Sequence, residues 1–102
     1  MTRTETISWV FLSIAFASKS SPVDYNGISR VADGINHAIP TYQEMQTSIK
    51  WLIERNLVKK TARKYSLSDQ GNRLINEAQS DTKSLMNIWK NLEIRISEFE
   101  KI

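Results

Sequence analysis

The sequence predicts a mainly α-helical α+β fold with one small β-hairpin, and three observations predict it. Most of the 102 residues fall in stretches whose apolar side chains recur at steps of three and four, the period of a helix with one buried face. Between Leu57 and Leu67 that period gives way to two short strand-like runs around a tight turn. The joints between the periodic stretches are short and hold proline or helix-capping residues.

A chain of this length has room for one core. Its hydrophobic content of 40% and charged content of 25% are those of an ordinary globular protein rather than a disordered one. The absence of cysteine excludes disulfides, thiolate nucleophiles and Cys-containing zinc sites, and it fits a cytoplasmic protein. The one histidine, His37, cannot build a multi-histidine metal site. There is no nucleophile elbow, no glycine-rich phosphate loop and no HExxH, and the carboxylates are scattered singly. The expectation is a protein that is no enzyme and takes no metal or cofactor.

Arg3, the apolar run from Ile7 to Ala17 and the triplet Ala15-Phe16-Ala17 imitate a secretory leader. Glu5 offsets the leading charge, Ser8 and Ser13 interrupt the run, and it is too short to span a bilayer. It reads instead as a buried first helix capped by Thr4 or Thr6. Ile7, Val10, Phe11 and Ile14 form one stripe, and Trp9, Leu12 and Phe16 a second. A helix apolar on two faces is sandwiched, inside the domain or against a second copy.

After the breaker-rich Lys19-Ser20-Ser21-Pro22, a second helix starts between Ser21 and Asn26 and runs to about Asn36, burying Ile28, Val31, Ala32 and Ile35. Gly27 and Gly34 inside it imply close packing or a nearby helix end. The turn Asn36–Pro40 leads to Thr41-x-x-Glu44, a capping box that opens a third helix reaching about Arg55. Met45, Ile49, Leu52 and Ile53 are expected inside. Gln43, Thr47, Lys50 and Glu54 are expected outside, flanked by Tyr42, Gln46 and Trp51. Two helices joined this way, the second polar and amide-rich outside, form a helix-turn-helix pattern.

Leu57–Lys60 and Lys64–Leu67 make the hairpin around Thr61-Ala62-Arg63, a turn without the glycine that two-residue turns favour. From Ser68 the chain is helical again, with Leu74, Ile75 and Ala78 inside. A polar stretch from Gln79 to Ser84 marks a kink or a new start capped by Ser80. Leu85, Trp89, Leu92, Ile96 and Phe99 then form a heptad seam, broadened by Met86, Ile88 and Ile94. That much apolar surface needs a cover, and the expected cover is a second copy.

Charge is unevenly spread. Six basic residues (Lys50, Arg55, Lys59, Lys60, Arg63 and Lys64) stand against Glu54 alone, so this stretch carries +5 of a net +3 and the rest sums to −2. A basic patch on a near-neutral body is the footprint of a phosphate-binding surface.

The order helix, helix, turn, helix, basic hairpin, long helix resembles the winged helix-turn-helix regulators of the MarR-like and PadR-like kind. Leu57–Lys60 through Lys64-Tyr65-Ser66-Leu67-Ser68-Asp69-Gln70-Gly71 is similar to their wing and to the YxLTxxG entry into the following helix, with Ser68 in place of threonine. Ile35–Tyr42 also resembles a stretch in small bacterial winged-helix proteins. The resemblance covers roughly residues 7 to 78. It implies a winged helix-turn-helix domain over 1–79 and a C-terminal dimerisation helix over 80–102 of the same unit. One departure stands out: guanine-reading arginines are missing from the first two turns of the third helix.

The expected function is double-stranded DNA binding by a homodimeric transcriptional regulator. Gln43, Gln46 and Thr47 would meet base edges. Lys50, Lys59, Lys60, Arg63 and Lys64 would meet phosphates, with Tyr42 as a further phosphate donor. The dimer would form through Trp9, Phe16, Leu85, Trp89, Leu92, Ile96 and Phe99. Trp9, Phe11, Phe16, Trp89 and Phe99 are also candidates to line a pocket for a small-molecule effector of unknown identity. Two rivals remain. In one, Glu44, Glu54 and the missing arginines mark a protein-interaction module that does not bind DNA. In the other, Trp51 and Tyr42 stack bases of a single strand; against it stands a packing role for Trp51 under the hairpin.

Overall fold

A computed structural model describes residues 1–100; the last two positions of the expected 80–102 segment lie outside it. Helix α1 (Arg3–Ala17) is the centre of the molecule, with every residue from Thr6 to Ala15 buried. It packs on α2 (Tyr25–Asn36), α3 (Tyr42–Glu54) and α5 (Leu85–Phe99). Its all-round apolar sequence is thus satisfied inside the domain. Ser8 and Ser13 remain tolerable in that core because their hydroxyls donate to the carbonyls of Thr4 (2.7 Å) and Trp9 (2.8 Å). The helix is capped by Thr2 rather than by Thr4 or Thr6: Thr2 Oγ1 accepts from the Glu5 amide, and Glu5 accepts in return from the Thr2 amide.

Helix α2 is capped by Asp24, which accepts from the Gly27 amide at 2.9 Å. It ends at His37 in the left-handed region, whose amide donates to the Asp33 carbonyl. Trp9 Nε1 donates to the Ala32 carbonyl at 2.9 Å, tying α2 to α1. Residues 37–41 then lead into α3. The Thr41–Glu44 capping box forms as expected, with bonds of 2.8 and 3.0 Å.

Helix α3 closes with Asn56 left-handed at φ 59°. The Leu57 amide returns to the Leu52 carbonyl and the Asn56 amide to that of Ile53, the paired bonds of a Schellman end. Leu52 and Leu57 are both buried there. This end turns the chain straight into the hairpin.

Strands β1 (Val58–Thr61) and β2 (Lys64–Leu67) pair antiparallel, with Val58 opposite Leu67 and Lys60 opposite Tyr65. Ala62 makes the turn at φ 58°, so an alanine occupies the left-handed position that glycine would fill without strain. On the far edge of β2, Val23 forms a one-residue bridge to Tyr65 through bonds of 2.8 and 2.7 Å. The hairpin is thereby anchored to the linker before α2.

Helix α4 (Asp69–Ala78) follows at once, capped by Ser68. Residues 79–84 are not helical, and the new start is capped by Ser84 rather than Ser80. Helix α5 then folds back across α1. Trp9 and Trp89 stack with centroids 6.2 Å apart, Trp89 Nε1 donates to the Glu5 carbonyl at 3.0 Å, and Arg3 pairs with Glu100 at 3.6 Å. Trp9, Trp89, Leu92 and Ile96 are at most 5% exposed within the single chain. The cover that the heptad seam implied is therefore α1 of the same molecule, whose two apolar faces need it equally. Of the residues expected at a dimer contact, Leu85 is 40% exposed and Phe16 and Phe99 are partly buried.

Candidate nucleic-acid interface

Helix α3 buries Met45, Ser48, Ile49, Trp51 and Leu52. The opposite arc, read around the helix at 100° per residue, runs Tyr42, Ile53, Gln46, Lys50, Gln43, Glu54, Thr47. All seven are exposed except Gln46, which is half-buried. The expected reading residues thus share one surface, with Lys50 and Gln43 at its crest. The two flanks look onto different clefts. Gln46 and Lys50, with Ile49, Ile53 and Glu54, face Lys60 and Tyr65 of the hairpin across a cleft of about 200 Å³. Gln43 and Thr47, with Glu44, face Arg3 and the start of α1 across one of about 340 Å³.

The hairpin register divides the basic residues. Tyr65 spends both backbone groups on Val23, so its pairing with Lys60 is of the non-hydrogen-bonded kind, in which side chains stand closest. The Lys60 ammonium accordingly lies 5.6 Å from the Tyr65 ring centroid. Strand alternation puts Val58 and Lys60 on that face, and Lys59 and Thr61 on the other with Lys64 and Ser66. Lys50 and Lys60 therefore belong to the α3 cleft, Lys59 and Lys64 to the far side of the hairpin, and Arg63 to its tip. All five are exposed, and among the described residues none is in an ion pair. Arg55 is different: it pairs with Glu54 at 3.7 Å and lies over the Trp51 ring at 4.1 Å.

Several expectations need correction. Trp51 is 3% exposed, held between Arg55 and the edge of Phe99, so it presents no ring to a single strand. Its ring packs against Phe99 of α5. Ile53, expected inside, is 38% exposed. Glu44 keeps its expected place: as the capping box implies, it is folded back onto the Thr41 amide, so its charge is engaged at the N-terminus of α3. The aromatic residues proposed for an effector pocket do not line one cavity. Trp9 and Phe11 are closed in the core, while Phe16 and Trp89 edge separate clefts.

Two residues near the arc carried no sequence expectation of this kind. Ile39 is 66% exposed beside the buried Pro40, and Tyr25 packs against Tyr42 with centroids 5.9 Å apart although Tyr42 is itself 71% exposed. Ile39 had a signal: an isoleucine in a turn, outside any helical period. Tyr25 had none, because its partner lies on another helix.

No described helix is long and apolar enough to cross a membrane. No group of three potential metal ligands gathers among the described residues. No known protein family, curated protein or solved structure matches the chain.

Proposed function

We propose that the protein is a winged helix-turn-helix DNA-binding regulator, with α3 in the major groove of a duplex and the β1–β2 hairpin as its wing. The observation that carries this reading is the arc of Gln43, Gln46, Thr47 and Lys50 on one exposed helix face, bordered by a hairpin bearing Lys59, Lys60, Arg63 and Lys64. Amides and a threonine methyl suit base edges, and unpaired ammonium groups suit phosphates. The element order suits a winged helix. Acting as a homodimer, it would set two such arcs on one duplex, using apolar residues left outside on α5 (Leu85, Met86 and Ile94).

A second reading, a protein-interaction module, draws on the exposure of Tyr42 and Ile53 on the same helix. A mobility-shift titration on random duplex at two salt concentrations separates them. The DNA reading expects binding that weakens steeply with salt. Absence of any shift at low salt overturns it in favour of the interaction module. Where binding is found, Gln46→Ala should cost about 1–3 kcal/mol on an enriched sequence and far less on random DNA.

A further inference from the structure

We infer that Ile39 and Tyr42 form an apolar knuckle that reads thymine methyl groups, with Ile39 the specificity-determining residue. The inference rests on the DNA-binding reading above. Ile39 is 66% and Tyr42 71% exposed, while Ile35 and Pro40 beside them are buried. The fold therefore gains little from an isoleucine at position 39. The chain carrying it is nevertheless firmly set. His37 terminates α2 in the left-handed region, the Thr41–Glu44 box fixes the start of α3, and Tyr25 of α2 packs on the Tyr42 ring at 5.9 Å. Two apolar groups are thus presented at the leading end of the arc on a short connection fixed at both ends, which limits the ordering cost when a partner arrives.

The partner must be polyanionic and must offer small apolar groups. Lys50 and Lys60 border the same arc; its one acid, Glu54, is paired with Arg55 at 3.7 Å, and Glu44 beside the arc is turned back on the helix end. The major-groove edge of A·T pairs meets both requirements, since thymine carries a C5-methyl there between phosphate walls. Ile39 has no polar atom and Tyr42 leads with a ring, so they discriminate by apolar contact. That supplies a reading mechanism to a helix start without guanine-reading arginines.

The test is selection from random duplex, followed by synthesis of the enriched site with deoxyuridine replacing thymidine, one position at a time. Deoxyuridine keeps every hydrogen-bonding group and removes only the methyl. Wild type should bind at least one substituted duplex about fourfold more weakly, the worth of one buried methyl. Ile39→Ala should bind thymidine and deoxyuridine forms of that position equally, with an unchanged melting temperature. Equal binding of all substituted duplexes by wild type, or enrichment of a site without A·T pairs, overturns the inference and leaves the DNA-binding reading standing. A methyl preference that survives Ile39→Ala assigns it to another residue, such as Thr47, and overturns the role of Ile39. No duplex binding by wild type at low salt overturns the DNA-binding reading itself and leaves the knuckle to a protein partner.

Discussion

The carbonyl oxygen of Leu57 occupies the space that a β-carbon on residue 71 would need, so Gly71 is the only residue that fits there. The contact lies where the hairpin closes on α4. Ser68 Oγ donates to the Asn56 carbonyl at 2.6 Å and accepts from the Gly71 amide at 3.0 Å, while the Ser68 amide donates to the same Leu57 carbonyl. Gly71→Ala should cost about 3 kcal/mol or more, because the obstacle is backbone and cannot rotate away. Gly34 is the control: nothing lies within 4 Å of its would-be β-carbon. Gly34→Ala should add roughly 0.5–1 kcal/mol by lowering the entropy of the unfolded chain. Denaturant melts of the two variants should move in opposite directions.

The turn at Ala62 holds a second reserve of stability. An L-residue at φ 58° is strained by crowding between its β-carbon and the following carbonyl. Ala62→Gly relieves this at some cost in unfolded-chain entropy, for a net gain of about 0.5–1 kcal/mol. Each kcal/mol should appear as an upward shift of about 4–8 °C in the thermal midpoint. An unchanged or lowered midpoint would show that the turn is unstrained.

Local chemistry is legible in the sequence; relations between distant elements are less so. The Thr41–Glu44 box, the hairpin span and the polar arc of α3 are each written within a few residues. The cap of α1 is harder to place because Thr2, Thr4 and Thr6 compete and only Thr2 has Glu5 three places on. Ile53 reads as an inside residue because Ile49, Leu52 and Ile53 make an i, i+3, i+4 set, yet it lies on the hairpin flank where a cleft leaves it open. Trp51 departs in the other direction because Phe99, far along the chain, covers it. Val23 cannot announce a bridge, since one residue has no period. The seam of α5 is plainly apolar, but nothing in its spacing says whose surface covers it.

That cover makes Trp89 a core residue. Its ring stacks on Trp9 and its indole nitrogen is bonded to α1. Trp89→Ala should cost about 3–5 kcal/mol, and deleting residues after Ser84 should abolish cooperative unfolding by baring Trp9. Melts at several protein concentrations separate this role from self-association. If Trp89 serves the intramolecular core, destabilisation by Trp89→Ala is independent of concentration, whereas a ring at a dimer contact would give a melting point that rises with concentration.

Acid should act on α1 and α5 in opposite senses. The Glu5 carboxyl is held below its ordinary value of 4.5 by hydrogen bonds from Thr2, backbone first and side chain second. Its contribution to stability is present above the ordinary value and is lost as pH falls through the depressed one. Glu93 is pushed upward by desolvation, then by the charge of Glu5. Its ionised form is disfavoured in the fold, so the penalty is absent in acid and grows as pH rises through the raised value. Glu93→Gln should therefore raise the thermal midpoint at about pH 7 and leave it unchanged at about pH 3. A difference that persists at the lower pH would locate the effect in packing.

The hairpin register leads to the sharpest division among the proposed DNA contacts. Lys50 and Lys60 share the cleft beside α3, whereas Lys59 and Lys64 lie on the opposite hairpin face. A duplex seated on the α3 arc places its nearest phosphates against the first pair. Removing one lysine–phosphate interaction lowers the slope of log affinity against log salt by about 0.9. Lys50→Gln with Lys60→Gln should thus flatten the slope by about 2, while Lys59→Gln with Lys64→Gln should change it by less than about one. All four side chains are exposed, so melting temperatures should hold and the comparison is one of binding alone. Equal flattening by both pairs would mean that the duplex embraces the hairpin on two sides, as when a wing enters a groove. A larger effect from Lys59 and Lys64 would move the phosphate surface off the α3 arc. Gln43, Gln46 and Thr47 would then be solvent-facing residues without a reading role.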